Sequence, residues 1–192
     1  AGCSLATGRC ATPASLPTLG HNFGAAAIRT SSGVTLTLRG LAIVHSVDGP
    51  AVDANGANLD ADFVYVNPGV GSPVGRGSWV RNSPDSSRIR RSVIRQVRGY
   101  GVRFENLTNS RVDSAAVAAV DTTVAWLDSR AGVHVIGGSG NSVRRSAFTG
   151  IAGMDAVRLS ATRQATLLSD SVTGGRHAVR ADSSSLTTSG LV

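Results

Sequence analysis

The sequence predicts an all-β solenoid of about seven coils stacked in parallel. Two recurring phrases, and the lack of any helix-length amphipathic run, predict it. The first phrase is an apolar residue, a small or acidic residue three positions on, and an apolar residue two further on. It occurs at Leu38/Leu41/Ile43, Leu59/Asp62/Val64, Ile89/Ser92/Ile94, Val112/Ala115/Val117, Val143/Ser146/Phe148, Leu167/Asp170/Val172 and Leu186/Ser189/Leu191. The first copy departs in carrying Leu in the middle. Successive copies start 21, 30, 23, 31, 24 and 19 residues apart, a repeat near 22 residues.

The second phrase lies between copies of the first. It reads Ala51-Val52-Asp53-Ala54, Gly101-Val102-Arg103-Phe104, Gly132-Val133-His134-Val135, Ala156-Val157-Arg158-Leu159 and Ala178-Val179-Arg180-Ala181. Looser copies are Ala27-Ile28-Arg29-Thr30 and Trp79-Val80-Arg81-Asn82. Strand side chains alternate faces. Ile28, Val52, Val80, Val102, Val133, Val157 and Val179 are therefore expected to stack inward. Arg29, Asp53, Arg81, Arg103, His134, Arg158 and Arg180 are expected to stack outward. Each coil then supplies at least two strands.

These phrases, with Asn or Gly at turns such as Asn106, Asn109, Asn141 and Gly174, resemble the right-handed parallel β-helix (pectate-lyase-like) superfamily. The resemblance covers roughly Ala25 to Val192 and implies a right-handed parallel β-helix. A left-handed helix would need a hexapeptide rhythm that is absent. The superfamily includes polyuronan lyases, galacturonases, epimerases, phage tailspikes and surface adhesins, so the resemblance carries fold and not function.

Composition suits a single secreted domain. The chain has 192 residues, 16% charged, with 23 glycines for turns. All 19 basic residues are arginine and the one glutamate is Glu105, which excludes every lysine-based mechanism. The missing lysine favours a bacterial source. Residues 1–24 read as an N-terminal cap segment and residues 25–192 as the β-helix. Cys3 and Cys10 are expected to form a disulfide that staples the cap, which implies an oxidising compartment, secreted or at the cell surface. Two cysteines make a poor zinc site, and neither a metal nor a cofactor is expected. No segment reaches the ~18 apolar residues of a membrane span.

Two coils carry extra stretches, roughly 67–77 and 121–130, the second including Trp126. Both follow the first phrase and precede the second, so they are expected to leave the same edge and wall a notch with Tyr100 at its floor. The outward Arg/His row beside it is the sharpest functional signal, because like charges at cross-strand spacing repel unless a partner neutralises them. Arginine's planar fork suits carboxylate and sulfate. The expected ligand is an extended anionic polymer, an acidic polysaccharide foremost, bound by Arg81, Tyr100, Arg103, Trp126, His134, Arg158 and Arg180. Trp79 is a further stacking candidate. A second set, Arg90, Arg91, Arg144 and Arg145, reads as solvated surface.

Enzymatic and structural roles are the alternatives. Superfamily members that cleave polyuronates often use an Arg or Lys base with calcium. That resemblance points to Arg103 and Arg158 as outward strand arginines. Tyr100, His134, Arg158 and His177 are the candidate catalytic groups of a lyase or epimerase, and a cationic surround is expected to lower the Tyr and His pKa values. A calcium cage is missing: Asp62 falls at an inward or bend position and Asp155 stands alone on its turn. Nucleic acid is disfavoured despite a net charge of +7, because eight aromatics and no binding motif are present. The coil at Leu191-Val192 is expected to be open, which suits a filament or adhesin subunit that self-associates end to end.

Overall fold

The structure, a computed structural model, describes residues 3–4, 9–10, 16–21, 26–45, 49–67, 76–97, 99–120, 130–149 and 153–192. Among these, the chain is a parallel β-solenoid without helices. Each turn carries three strands, one on each of three faces, where two or more were expected. The first face includes Arg88–Arg90, Arg111–Asp113, Ser142–Arg144, Ala165–Leu168 and Leu186–Ser189. The second includes Val93–Val97, Ala116–Val120, Ala147–Thr149 and Ser171–Thr173. The long strands Thr35–His45 and Asn58–Asn67 bend across both. The third face holds seven strands: Ile28–Thr30, Pro50–Asn55, Arg76–Arg81, Tyr100–Glu105, Ala131–Ile136, Asp155–Ser160 and His177–Asp182. Seven strands bound about six turns, against the seven expected.

The spacing of the first phrase has a backbone cause. Between its first and middle residues the chain turns a corner through one left-handed residue. These corner residues are Gly40, Phe63, Arg91, Ser114, Arg145, Ser169 and Gly190, with φ of 47 to 62°. A single left-handed residue swings the strand by a corner, so the apolar residues on either side both point inward. In the turn Ile89-Arg90-Arg91-Ser92-Val93-Ile94, for example, Ile89, Ser92 and Ile94 are all buried. A second column at the far end of the third face, Gly56, Asn82, Asn106, Gly137, Ala161 and Ser183, is left-handed too, with φ of 51 to 67°. Asn109 and Gly174 also sit at positive φ, as their turn roles require, whereas Asn141 does not.

Three expected registers slip by two residues. In the first phrase, Ala61/Val64/Val66 aligns with Ile89/Ser92/Ile94, not Leu59/Asp62/Val64. Thr188, not Leu186, pairs with Leu167. In the second phrase, Ser78 pairs with Val52 and Val102, so Trp79 takes the outward place expected of Arg81. Alternation has a period of two, so a slip of two leaves the inward and outward pattern intact and is invisible to it. A glycine column decides the third case. Gly77, Gly101 and Gly132 share a register where the backbone runs against the core. A Cβ on Gly77 would lie 2.0 Å from the Gly101 carbonyl oxygen, and one on Gly132 would lie 2.5 Å from Phe148 Cδ1.

The core is one stack running the length of the solenoid. Val52, Val102, Val133 and Val157 are at most 1% exposed, and Phe104, Phe148, Leu159 and Leu167 fill the remaining space. Each such side chain contributes about 1.5–3 kcal/mol. At the corner leading from the third face to the first, the interior is polar. Ser87, Ser110, Asn141 and Thr162 are buried there. Leu59 N donates to Ser87 Oγ at 3.0 Å, Ser87 N to Ser110 Oγ at 2.9 Å, and Ser110 N to Asn141 Oδ1 at 3.0 Å. This ladder satisfies amides that the tight turns leave unpaired. Ser92 and Ser146 act alike at the other corner, where their hydroxyls donate to the Arg90 and Arg144 carbonyls.

Thr18–His21 pairs in parallel with Ala42–His45. Cys3 and Cys10 stand opposite each other in a short antiparallel pair. Trp126 and most of the two inserted stretches, 68–75 and 121–129, lie outside the described residues. No helix among the described residues is long and apolar enough to cross a membrane.

Candidate functional site

Parallel register on the third face fixes the outward row as Arg29, Asp53, Trp79, Arg103, His134, Arg158 and Arg180. Neighbouring strands lie about 4.8 Å apart, so these side chains recur at that interval along the axis. Arg81 stands two residues further along its strand, beside Asn55 and Glu105. The row before it carries Arg76, Tyr100, Ala131, Asp155 and His177. Sequence alternation placed most of the row but not Trp79.

The row is more neutralised than its sequence suggests. Asp53, 3% exposed, receives Arg29 at 3.3 Å and Arg81 at 3.2 Å. Arg103 pairs with Glu105 two residues along its own strand. Arg158 and Arg180 share Asp182, at 3.5 and 3.2 Å. Asp182 reaches Arg158 from the next turn. Each guanidinium has five N–H donors, and a carboxylate pair uses only one or two of them.

Aromatic rings hold part of this array in place. The Arg81 guanidinium lies 3.8 Å from the Trp79 ring centre and Arg103 lies 5.3 Å from it. Arg103 also lies 5.5 Å from the Tyr100 ring, and Arg76 lies 5.7 Å from it. The result is an alternating stack of Arg81, Trp79, Arg103, Tyr100 and Arg76 across two turns. Such contacts gain about 0.5–2 kcal/mol each, more where water is excluded. No sequence signal announced the stack, because it needs Trp79 two residues from its expected register.

The candidate base pair behaves differently from expectation. Tyr100 is 1% exposed, and burial pushes its phenol up to about 12 against the pull of Arg76 and Arg103. Its hydroxyl is buried without a partner. Desolvation outweighs the cationic surround, so Tyr100 is a protonated wall of the stack. His134 is 4% exposed; burial first, then Arg103 and Arg158, lower its pKa to about 4. Its Nε2 lies 3.2 Å from Ser160 Oγ and its Nδ1 is buried without a partner.

Asp155, which in sequence stood alone, has partners. Asp155 pairs in register with His177 one turn on. His177 Nδ1 lies 2.8 Å from Asp155 Oδ1, and Arg176 Nε lies 3.4 Å from the same oxygen. Asp155 is fully buried and the His177 side chain is 49% exposed. Among the described residues no cluster of His, Cys, Asp and Glu is arranged to hold a metal ion.

The second arginine set on the first face is mostly clamped. Arg91, at a left-handed corner, donates from Nε to Asp62 Oδ1 at 2.8 Å, and Arg145, at the corner two turns on, grips Asp113 at 2.8 Å. Asp62 is therefore an outward residue next to the corner, held below the usual carboxylate range first by the Arg91 hydrogen bond. Arg90 reaches Asp60 at 3.0 Å. Arg144 differs: its Nε is buried without a partner.

This fold and this face define a parallel β-solenoid with an arginine, carboxylate and aromatic surface on one side. No family model matches the chain, and no curated protein is significantly similar to it.

Proposed function

We propose that this protein recognises an extended anionic polymer, an acidic polysaccharide, along the outward side of its third face. The observation that carries the reading is the register that puts Arg29, Arg103, Arg158 and Arg180 in one outward row of parallel strands, with Asp53 and Trp79 between the first two and His134 between the next two. A polymer lying across the strands meets guanidinium groups at several points along the row, and its carboxylates can bond the N–H groups of Arg103 and Arg180 that their single carboxylate partners do not use. Trp79 and Tyr100 fix the central guanidinium groups in position before the ligand arrives, which lowers the ordering cost of binding.

The test is calorimetric titration with alginate and pectate at low and moderate salt. Binding is expected to weaken steeply as salt rises, and Arg103→Ala or Arg180→Ala to weaken it by about tenfold or more. Arg88→Ala, on another face, is expected to leave it unchanged. Absence of binding to either polymer at low salt would sink the reading.

A polysaccharide ligand fits an extracellular setting, and we read Cys3 and Cys10 as a disulfide in that setting. Direct opposition in an antiparallel pair brings Cα atoms to about 4.5–5.5 Å, within the range a disulfide spans. Mass spectrometry after alkylation without reductant should find neither cysteine modified. Two alkylated cysteines in protein from an oxidising compartment would refute the bridge.

A further inference from the structure

Of the histidines whose side chains are described, His45 and His134 are 3% and 4% exposed, while His177 presents half its ring to solvent. Behind that ring lies a fully buried carboxylate, Asp155, with Oδ1 at 2.8 Å from Nδ1. The other carboxylate oxygen, Oδ2, is buried without a partner. A buried carboxylate on Nδ1 holds the proton there and leaves the Nε2 lone pair facing outward. Arg176 lies on the same Asp155 oxygen, His134 is near enough to feel the Asp155 charge, and the Arg180–Asp182 pair stands further along the His177 strand.

We propose that Asp155 and His177 form a general-base dyad that hydrolyses an ester. His177 is the catalytic residue and Asp155 the positioning residue. Nε2 accepts a proton from a water molecule as the water oxygen bonds to the ester carbonyl carbon. The carbonyl π electrons move to oxygen, giving an oxyanion. Collapse of this intermediate re-forms the carbonyl and breaks the carbon–oxygen bond to the alcohol. The departing oxygen takes the proton back from Nε2. One ester and one water give one acid and one alcohol, with no other reactant. Acylated hydroxyls are the substrate class this chemistry serves.

The probe is p-nitrophenyl acetate, followed by release of nitrophenolate. It carries no charge, so the outcome does not depend on polymer binding. The wild-type rate is expected to exceed that of His177→Gln by tenfold or more, since general-base groups contribute about 10²–10⁴. Asp155→Asn is expected to lose most of the rate and to change its pH profile, which a purely structural partner would not do. Equal rates for the wild type and His177→Gln would overturn the proposal, and so would an unchanged pH profile in folded Asp155→Asn. Because His177 lies half exposed at the surface, the His177→Gln comparison stands even if Asp155→Asn does not fold.

Discussion

Asn141→Ala is expected to lower stability by about 2–4 kcal/mol. Asn141 is 1% exposed and ties two turns together. Its Oδ1 accepts from Ser110 N at 3.0 Å, and its Nδ2 donates to the Leu107 carbonyl at 2.8 Å. Alanine would strand the buried Ser110 amide, costing about 1–3 kcal/mol, and leave a void besides, while the Leu107 carbonyl would keep its bond from Ser139 N at 3.2 Å. Repeat proteins couple mainly to nearest neighbours. Hydrogen exchange should therefore rise first at Ser110 and in the turns on either side. Urea unfolding gives the magnitude: a loss below about 1 kcal/mol would show that solvent or repacking replaces both bonds.

Acid is expected to destabilise the protein by about 3 kcal/mol between pH 7.5 and pH 4, through His134 alone. Its folded pKa of about 4 lies below the ordinary value of 6.5 because burial, Arg103 and Arg158 all oppose its charge. The unfolded chain therefore binds a proton across that window while the folded chain does not. Stability is full above pH 6.5, falls as pH drops toward 4, and levels off below. Asp62 and Asp113, whose pKa values are lowered, act in the same direction only below the usual carboxylate range. Asp170, raised by burial, acts in the opposite direction. Comparing urea midpoints of the wild type and His134→Gln at both pH values isolates the histidine. The variant should lose most of the pH dependence in this window; an equal dependence in both proteins would rule His134 out as its source.

Much of the fold was legible in the sequence because a solenoid repeats one local rule. Val102, Val133, Val157 and Val179 fall in one column, and Arg103, His134, Arg158 and Arg180 in the next, as alternation predicts. The 3-plus-2 spacing of the first phrase holds from Ile89 to Leu167 because each copy crosses the same left-handed corner. Where a loop of different length intervenes, as before Trp79, alternation cannot distinguish registers two residues apart. The close backbone contact at Gly77 decides instead.

By itself, then, the sequence determined the parallel solenoid, its inward column and the side on which the arginines face, since these follow from periods of two and near 22 along one chain. Only the tertiary structure decided which charges meet. Asp182 neutralises Arg158, Asp155 backs His177, and Arg103 lies over Trp79, each pair more than twenty residues apart in sequence. It also decided how deeply Tyr100 and His134 are buried, and desolvation rather than neighbouring charge is the larger influence on both. Burial is a property of the stacked turns together, and no segment read alone contains it.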